Sequence, residues 1–251
     1  MTYKTYEEIA ILKEGGHILA SVLATLKNLV EAEYRNNITA LDIDIQAEKL
    51  LKEAGAEPSF KGFHGYPASL CVSINDEVVH GIPTKDKIFR EGDLVSLDLG
   101  VFYKGLYSDA AISFTLGQAD EAVKKLVTET KNALMLGIAE VKVGNKIGDI
   151  GFAIENHLEK FGYGIVRNYT GHGVGHGVHE DPQGPNYGKK GTGEELKAGM
   201  VLAIEPMVVM GGEKVSVDSD GWTVRATDGS FVAHWEHTVA VTEEGPVILT
   251  E

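Results

Sequence analysis

Four carboxylates in this chain stand where a carboxylate is costly unless it has a partner. Asp98 interrupts an otherwise apolar run, Val95-Ser96-Leu97-Asp98-Leu99-Gly100, and Asp109 lies a short distance on, in Tyr107-Ser108-Asp109-Ala110-Ala111. Phe102-Tyr103-Lys104-Gly105 between them reads as a hairpin turn. A turn centred between Tyr103 and Lys104 pairs residues whose numbers sum to 207, which makes Asp98 and Asp109 direct cross-strand neighbours. Like charges so placed are destabilising unless something positive lies between them. Glu205 closes the apolar run Met200-Val201-Leu202-Ala203-Ile204, and Glu236 sits in His234-Trp235-Glu236-His237 ahead of the run Thr238-Val239-Ala240-Val241. Buried acids need compensation, and two divalent cations would balance four negative charges.

The histidines add the nitrogen ligand. His17 and His157 fall on helical segments, where a packed or solvated histidine is the ordinary reading. His172 lies in Gly171-His172-Gly173-Val174-Gly175, where glycines bring backbone close and leave room around the imidazole. His179 follows in Gly177-Val178-His179-Glu180, and His80 stands in His80-Gly81-Ile82-Pro83. One histidine among several carboxylates suits Mn, Fe, Co or Zn as divalent ions. The single cysteine, Cys71, excludes a closed multi-cysteine zinc site and internal disulfides, and fits a reducing cytoplasm.

These residues must be carried by a folded scaffold. Of 251 residues 43% are hydrophobic, which implies a sizeable core rather than a disordered chain. The net charge of −14 argues against nucleic acid as a partner. No apolar run reaches the ~18–20 residues of a membrane span, and the N-terminus lacks a signal-peptide layout. Helical periodicity runs from about Thr5 to Ala32, with Thr5 and Glu8 as a capping box, and again over Thr39–Ala54, ending at Gly55. Strands follow at Cys71–Ile74, Leu94–Leu99 and Ala110–Phe114; helices return at Asp120–Leu136 and Ile147–Phe161. Further strands are expected near Ile165–Asn168, Met200–Met210, Trp222–Ala226, Phe231–Thr242 and Val247–Leu249. The repeated order, with Ala40–Gly65 resembling Lys146–Gly173, suggests a duplicated half. The class expected is α+β, helices backing a curved antiparallel sheet, in one catalytic domain over 1–251.

Six motifs in this order carry a resemblance over nearly the whole chain: His80-Gly81-Ile82-Pro83, Leu97-Asp98-Leu99-Gly100, Tyr107-Ser108-Asp109, Gly171-His172-Gly173-Val174-Gly175, Ile204-Glu205-Pro206-Met207 and Trp235-Glu236-His237-Thr238. The sequence resembles the type I methionine aminopeptidases of bacterial form, members of the pita-bread metallopeptidases. The resemblance implies the pita-bread fold with pseudo-twofold halves. It also implies a two-metal centre of Asp98, Asp109, His172, Glu205 and Glu236, with Asp109 and Glu236 bridging. Glu205 would also shuttle a proton, while His80 and His179 would bind substrate and stabilise the tetrahedral intermediate. Phe63, Tyr66, Cys71 and Trp222 would line a socket for a methionine side chain. Val178 stands where a bulkier aromatic is usual and Phe60 where a small residue is usual, which points to a reshaped socket. His176 and His234 replace other polar residues and read as peripheral. The implied activity is removal of an initiator methionine from nascent chains when the second residue is small, by a cytoplasmic monomer working near the ribosome. An Xaa-Pro peptidase on the same fold is the nearest rival. A ligand-stripped binding protein is disfavoured because all five ligand positions are filled.

Overall fold

A computed structural model describes residues 2–251. Four α-helices are present: α1 (Tyr6–Glu33), α2 (Ala40–Glu53), α3 (Glu121–Ala139) and α4 (Ile147–Leu158). The strands of the first half are β1 (Glu57–Pro58), β2 (Leu70–Ile74), β3 (Glu77–Val79), β4 (Leu94–Tyr103) and β5 (Leu106–Thr115). Those of the second are β6 (Gly164–Ile165), β7 (Gly171–Gly173), β8 (Glu180–Gly184), β9 (Val201–Ile204), β10 (Met207–Val209), β11 (Val215–Val217), β12 (Val224–Ala226), β13 (Val232–His234), β14 (Glu236–Thr242) and β15 (Gly245–Ile248).

The helix starts follow their local chemistry. Thr5 caps α1 by accepting from the Glu8 amide, and Glu8 returns the bond to the Thr5 amide at 2.8 Å. Thr39 and Asp42 do the same for α2, and Asp120 caps α3. Gly55 follows α2 in the left-handed region, φ +75°.

One face of α1 buries Leu12, Leu19, Val22, Leu23, Leu26 and Val30 against the sheet at β4 and β5. At ~1.5–3 kcal/mol per buried large aliphatic side chain, this face is a main tie between helix layer and sheet. The expectation that no segment approaches a membrane span needs correction here. Tyr6–Asn36 contains an 18-residue window of mean hydropathy 1.4 and is long enough to cross a bilayer. Its large aliphatic residues lie mainly on the stripe that packs the core, while Lys13, Glu14 and Glu31 are on the exposed face. Gly16 lets α1 approach the C-terminal strand, because a Cβ there would lie 2.1 Å from the Leu249 carbonyl oxygen. Alanine normally favours a helix over glycine by ~1 kcal/mol. Here the clash with fixed backbone should win: G16A is expected to lose about 1–3 kcal/mol in urea unfolding. A stabilised G16A would contradict this packing.

The main sheet has nine strands, with the path β1-β4-β5-β14-β9-β7-β8 and with β2 on β4 and β15 on β14; all its pairings are antiparallel. Two smaller three-stranded sheets, β13-β10-β6 and β11-β12-β3, complete the structure. One apolar cluster joins α1 and α2 to the first half of the sheet, and a second joins α3 and α4 to the other half. The N-cap residues of α2 and α4 both form isolated bridges, Thr39 with Ile88 and Lys146 with Glu195. The duplicated arrangement is therefore visible in the layers and in the helix entries.

Several expected strands are divided. Met200–Met210 is two strands, β9 in the main sheet and β10 in a small one, with Glu205-Pro206 between them. Phe231–Thr242 divides in the same way, β13 leaving the main sheet and β14 joining it, with Trp235 at the change. Proline cannot donate to a ladder, which explains the first break. Ile165–Asn168 shortens to Gly164–Ile165, and β1, β3, β7, β8 and β11 lie outside the expected strands.

Candidate metal centre

The β4–β5 hairpin brings the first two acids to one face, but not in the expected register. Lys104 (φ +48°) and Gly105 (φ +89°) form a two-residue turn in the left-handed region. The turn is thus centred one residue later than expected. Asp98 faces Ala111, and Asp109 faces Gly100. The aspartates are diagonal neighbours rather than direct ones. A shift of two residues keeps both on the same face, because strand side chains alternate with period two.

Glu236 begins β14 opposite Ala111, so it extends the row that starts at Asp98. His237 pairs with Ile204, and continuing that register places Glu205 across from Glu236. His172, opposite Ala203 on β7, enters from the other side. Both glutamates thus stand where the chain changes sheets. Asp109 is fixed in its backbone by Thr238, whose hydroxyl accepts from the Asp109 amide at 2.9 Å and donates to its carbonyl at 2.7 Å.

One ligand atom from each of Asp109, His172 and Glu236 lies within 4.8 Å of the others. Glu205 Oε1 is 3.6 Å from His172 Nε2. The ring orientation suits ligation: His172 Nδ1 lies 2.9 Å from the Gly173 carbonyl, and a proton held there leaves the Nε2 lone pair facing the acids. Burial and mutual repulsion push the carboxyls of Asp98, Glu205 and Glu236 well above the carboxylate range, and burial pushes Asp109 to about 7. Asp98 Oδ1 and Asp109 Oδ1 are buried without a hydrogen-bond partner. Orphaned carboxylate oxygens beside an imidazole with its lone pair free fit a divalent cation, which supplies the missing positive charge.

Asp98, Asp109, His172, Glu205 and Glu236 line one cavity of about 770 Å³, together with His80, His179, Phe63, Tyr66, Cys71 and Trp222. Every candidate site residue of the sequence therefore faces a single space. His80, at φ +59°, is half-buried between Tyr169 and Trp222, at ring distances of 5.6 and 6.4 Å. Desolvation lowers its pKa to about 4, with a smaller push from His179. His179 is exposed where it opens onto the cavity, and desolvation and nearby His64 lower its pKa. Its ring meets His172 edge-on at 4.3 Å. Both imidazoles are thus held neutral near pH 7, with one N–H each to donate.

Tyr66 meets Trp222 edge-on at 5.1 Å, and its hydroxyl donates towards the Gly81 carbonyl at 3.1 Å. Tyr66 and Cys71 form a buried cluster with Ala68, against which Phe60, Ile82 and Trp222 pack. Burial, with Asp98 nearby, pushes the Cys71 thiol well above its usual value, so it acts as apolar lining rather than a nucleophile. Phe60 reaches the cavity wall over Gly100, where a Cβ would lie 2.6 Å from its ring. Val178 is buried outside the lining.

His234 is not peripheral. It is 1% exposed, and its Nε2 lies 3.6 Å from Glu205 Oε2 with no hydrogen-bond partner. Its backbone is clamped by Ser113, whose hydroxyl donates to the His234 carbonyl at 2.7 Å and accepts from its amide at 2.8 Å. Its place two positions before the buried Glu236 was the available signal. His176, by contrast, is exposed and pairs with Glu8 at 2.7 Å. His64, Tyr169, Thr170, Gln183, Glu180 and Thr2 also line the cavity, beyond the residues expected from the sequence. Tyr169-Thr170 directly precedes the Gly171-His172 motif, and His64 lies between Gly62 and Gly65. Thr2 gave no signal at all.

The family model of metallopeptidase family M24 matches residues 10–243. The chain belongs to metallopeptidase family M24. As an M24 metallopeptidase it works with divalent metal. Among its relatives is a methionine aminopeptidase of Clostridium acetobutylicum, 45% identical over 247 residues, covering 98% of this chain and 97% of the relative. Another, from Borreliella burgdorferi, is 46% identical over 250 residues and covers 99% and 97%. The solved methionine aminopeptidase of Thermotoga maritima superposes with a TM-score of 0.96 at 44% identity, covering 100% of this chain and 99% of that one. The prolidase of Pyrococcus furiosus reaches 0.76 at 25% identity and covers 99% of this chain but 65% of its own. The M24 fold of this chain is thus the pita-bread fold, a curved antiparallel sheet backed by helices.

Proposed function

We propose that this M24 enzyme removes the N-terminal methionine from peptides and nascent chains, with residues 1–251 acting as one catalytic unit. The observation that carries the reading is the juxtaposition of an aromatic-lined socket with a cluster of four acids and one histidine in the same cavity. Relatives that align over nearly their full length and carry the methionine aminopeptidase name support the same assignment. An unbranched thioether fits a socket of Phe63, Tyr66, Cys71 and Trp222, because sulfur gains ~0.3–1.5 kcal/mol against aromatic rings beyond its apolar burial.

Asp98, Asp109, His172, Glu205 and Glu236 would hold two divalent ions, Asp109 and Glu236 serving both. Ions bound there supply Lewis-acid polarisation and an acidified water. Glu205 accepts the proton of the attacking water at its carboxylate and returns it to the leaving amine. His80 and His179 each donate an N–H to the carbonyl oxygen of the first peptide bond, and the donation strengthens as negative charge develops there. Neither histidine needs to ionise for this. Small second residues are the preference expected of this site. We place the enzyme in the cytoplasm as a monomer, acting on chains as they leave the ribosome.

Metal-loaded enzyme should cleave Met-Ala-Ser at least about 100-fold faster than Xaa-Pro peptides, the margin a shaped pocket supplies over a misfit substrate. Product release read by liquid chromatography decides it. Faster cleavage of Xaa-Pro would transfer the assignment to the prolidase branch.

A further inference from the structure

The loop that delivers His179 is poorly suited to precision on its own. Gly173, Gly175 and Gly177 give it backbone freedom, and the exposed His179 imidazole meets the rings of Phe63 at 5.3 Å and His172 at 4.3 Å, contacts that fix its direction weakly. What holds the loop comes from the far end of the chain. We propose that Lys4 is a positioning residue for His179, acting through an ion pair with Glu180; the proposal rests on the role given to His179 above.

Lys4 is buried, its side chain only 1% exposed, and its Nζ lies 2.7 Å from Glu180 Oε2. A buried ammonium needs a well-placed partner, and Thr2 completes the set: its hydroxyl accepts from Lys4 Nζ at 2.8 Å and bonds Glu180 as well. The other Glu180 oxygen, Oε1, reaches back to accept from the Gly177 amide at 2.8 Å. The carboxylate therefore spans Val178 and His179 and closes the loop around them.

The surroundings are shaped for this contact. The Lys4 amide donates to the Gly199 carbonyl at 2.7 Å, which ties the segment to the strand region before β9. The Lys4 stem runs across Gly175, where a Cβ would lie 2.2 Å from Lys4 Cε. Gly175 is thus a glycine partly because Lys4 passes there. A second tie from the same end of the chain, Glu8 to His176, anchors the outer side of the loop. Thr2 and Glu180 both line the cavity, so the clamp is part of the wall that substrate meets.

Lys4→Met keeps the stem over Gly175 and removes only the charged head. Misplacing a catalytic group by about 1 Å costs on the order of 100-fold, so K4M should lower kcat for Met-Ala-Ser about 10- to 100-fold. KM should change less than about 3-fold on the same grounds, and bound metal, measured by plasma mass spectrometry after dialysis, should be unchanged. The discriminating measurement is a double-mutant cycle with His179→Ala. If Lys4 acts only through His179, K4M changes kcat less than about 2-fold in the H179A background. A purely structural contribution would add its full cost there, and that result overturns the proposal. So would a well-folded K4M with wild-type kcat, or a loss of activity that tracks loss of metal. Should K4M fail to fold, Glu180→Gln carries the same cycle and the same outcomes. Full activity in H179A alone would instead remove the role of His179, and the proposal with it.

Discussion

Asp109→Asn should abolish turnover while leaving the fold intact. Asp109 is the most central acid: its ligand atom is within 4.8 Å of those of both His172 and Glu236, and its own Oδ1 is buried without a partner. Asparagine has the same shape, but it carries no charge and offers one weak ligand oxygen. Losing about 4 kcal/mol of transition-state stabilisation corresponds to roughly 1,000-fold in rate, and a centre that loses a shared ligand should lose at least that. Metal retained after dialysis should fall in parallel. The metal-free variant should be no less stable than the metal-free parent, because a buried, uncompensated carboxylate has been removed. Wild-type turnover in D109N, measured on Met-Ala-Ser, would contradict the centre; lost turnover through unfolding is separated by thermal denaturation.

The same crowding of acids sets a pH dependence. Asp109 is raised to about 7, and Asp98, Glu205 and Glu236 lie well above their ordinary range. These four groups therefore hold more protons in the folded metal-free protein than in the unfolded chain, from about pH 4 up to their raised folded values. Stability from these groups is present at low pH and falls as pH rises through 7, the reverse of a salt-bridged carboxylate. Metal binding must displace the protons. Between pH 7 and 8, above the range in which the buried neutral histidines His80, His172, His234 and His237 add stability with rising pH, the melting temperature of the metal-free protein should fall, while the rise produced by saturating Mn²⁺ should grow. At 100 to 1,000 times Kd the added stability is about 2.7–4.1 kcal/mol. Calorimetric titration at pH 7 in buffers of different ionisation enthalpy should show net proton release. Proton-neutral binding would mean that these acids are already ionised.

What was legible in the sequence was chiefly chemistry that cannot be explained locally. Asp98 in an apolar run and Glu205 before a proline violate ordinary patterning, and such violations mark sites that a metal compensates. The helices were legible because periodicity and caps agree, as at Thr5 with Glu8 and Thr39 with Asp42. The hairpin register was misjudged by two residues because the turn depends on Lys104, a non-glycine residue in the left-handed region. The divided strands were harder to read: Glu205-Pro206 marks a break between β9 and β10, but only tertiary pairing shows that the second strand joins another sheet. His234 looked peripheral because nothing local shows that Ser113, distant in sequence, clamps its backbone and brings its ring to Glu205. Thr2 and Lys4 were invisible for the same reason. Their partner Glu180 is more than 170 positions away, and a lysine near a chain start reads as a solvated surface residue.

The central claim is that Asp98, Asp109, His172, Glu205 and Glu236 together hold the metal. Crystals of the enzyme loaded with Mn²⁺, with anomalous scattering recorded at the manganese edge, test it most directly. The account predicts two peaks among these five side chains, separated by the ~3.5–4 Å of a shared-ligand pair. A strong peak at any other place on the protein, with none among these five residues, would contradict it.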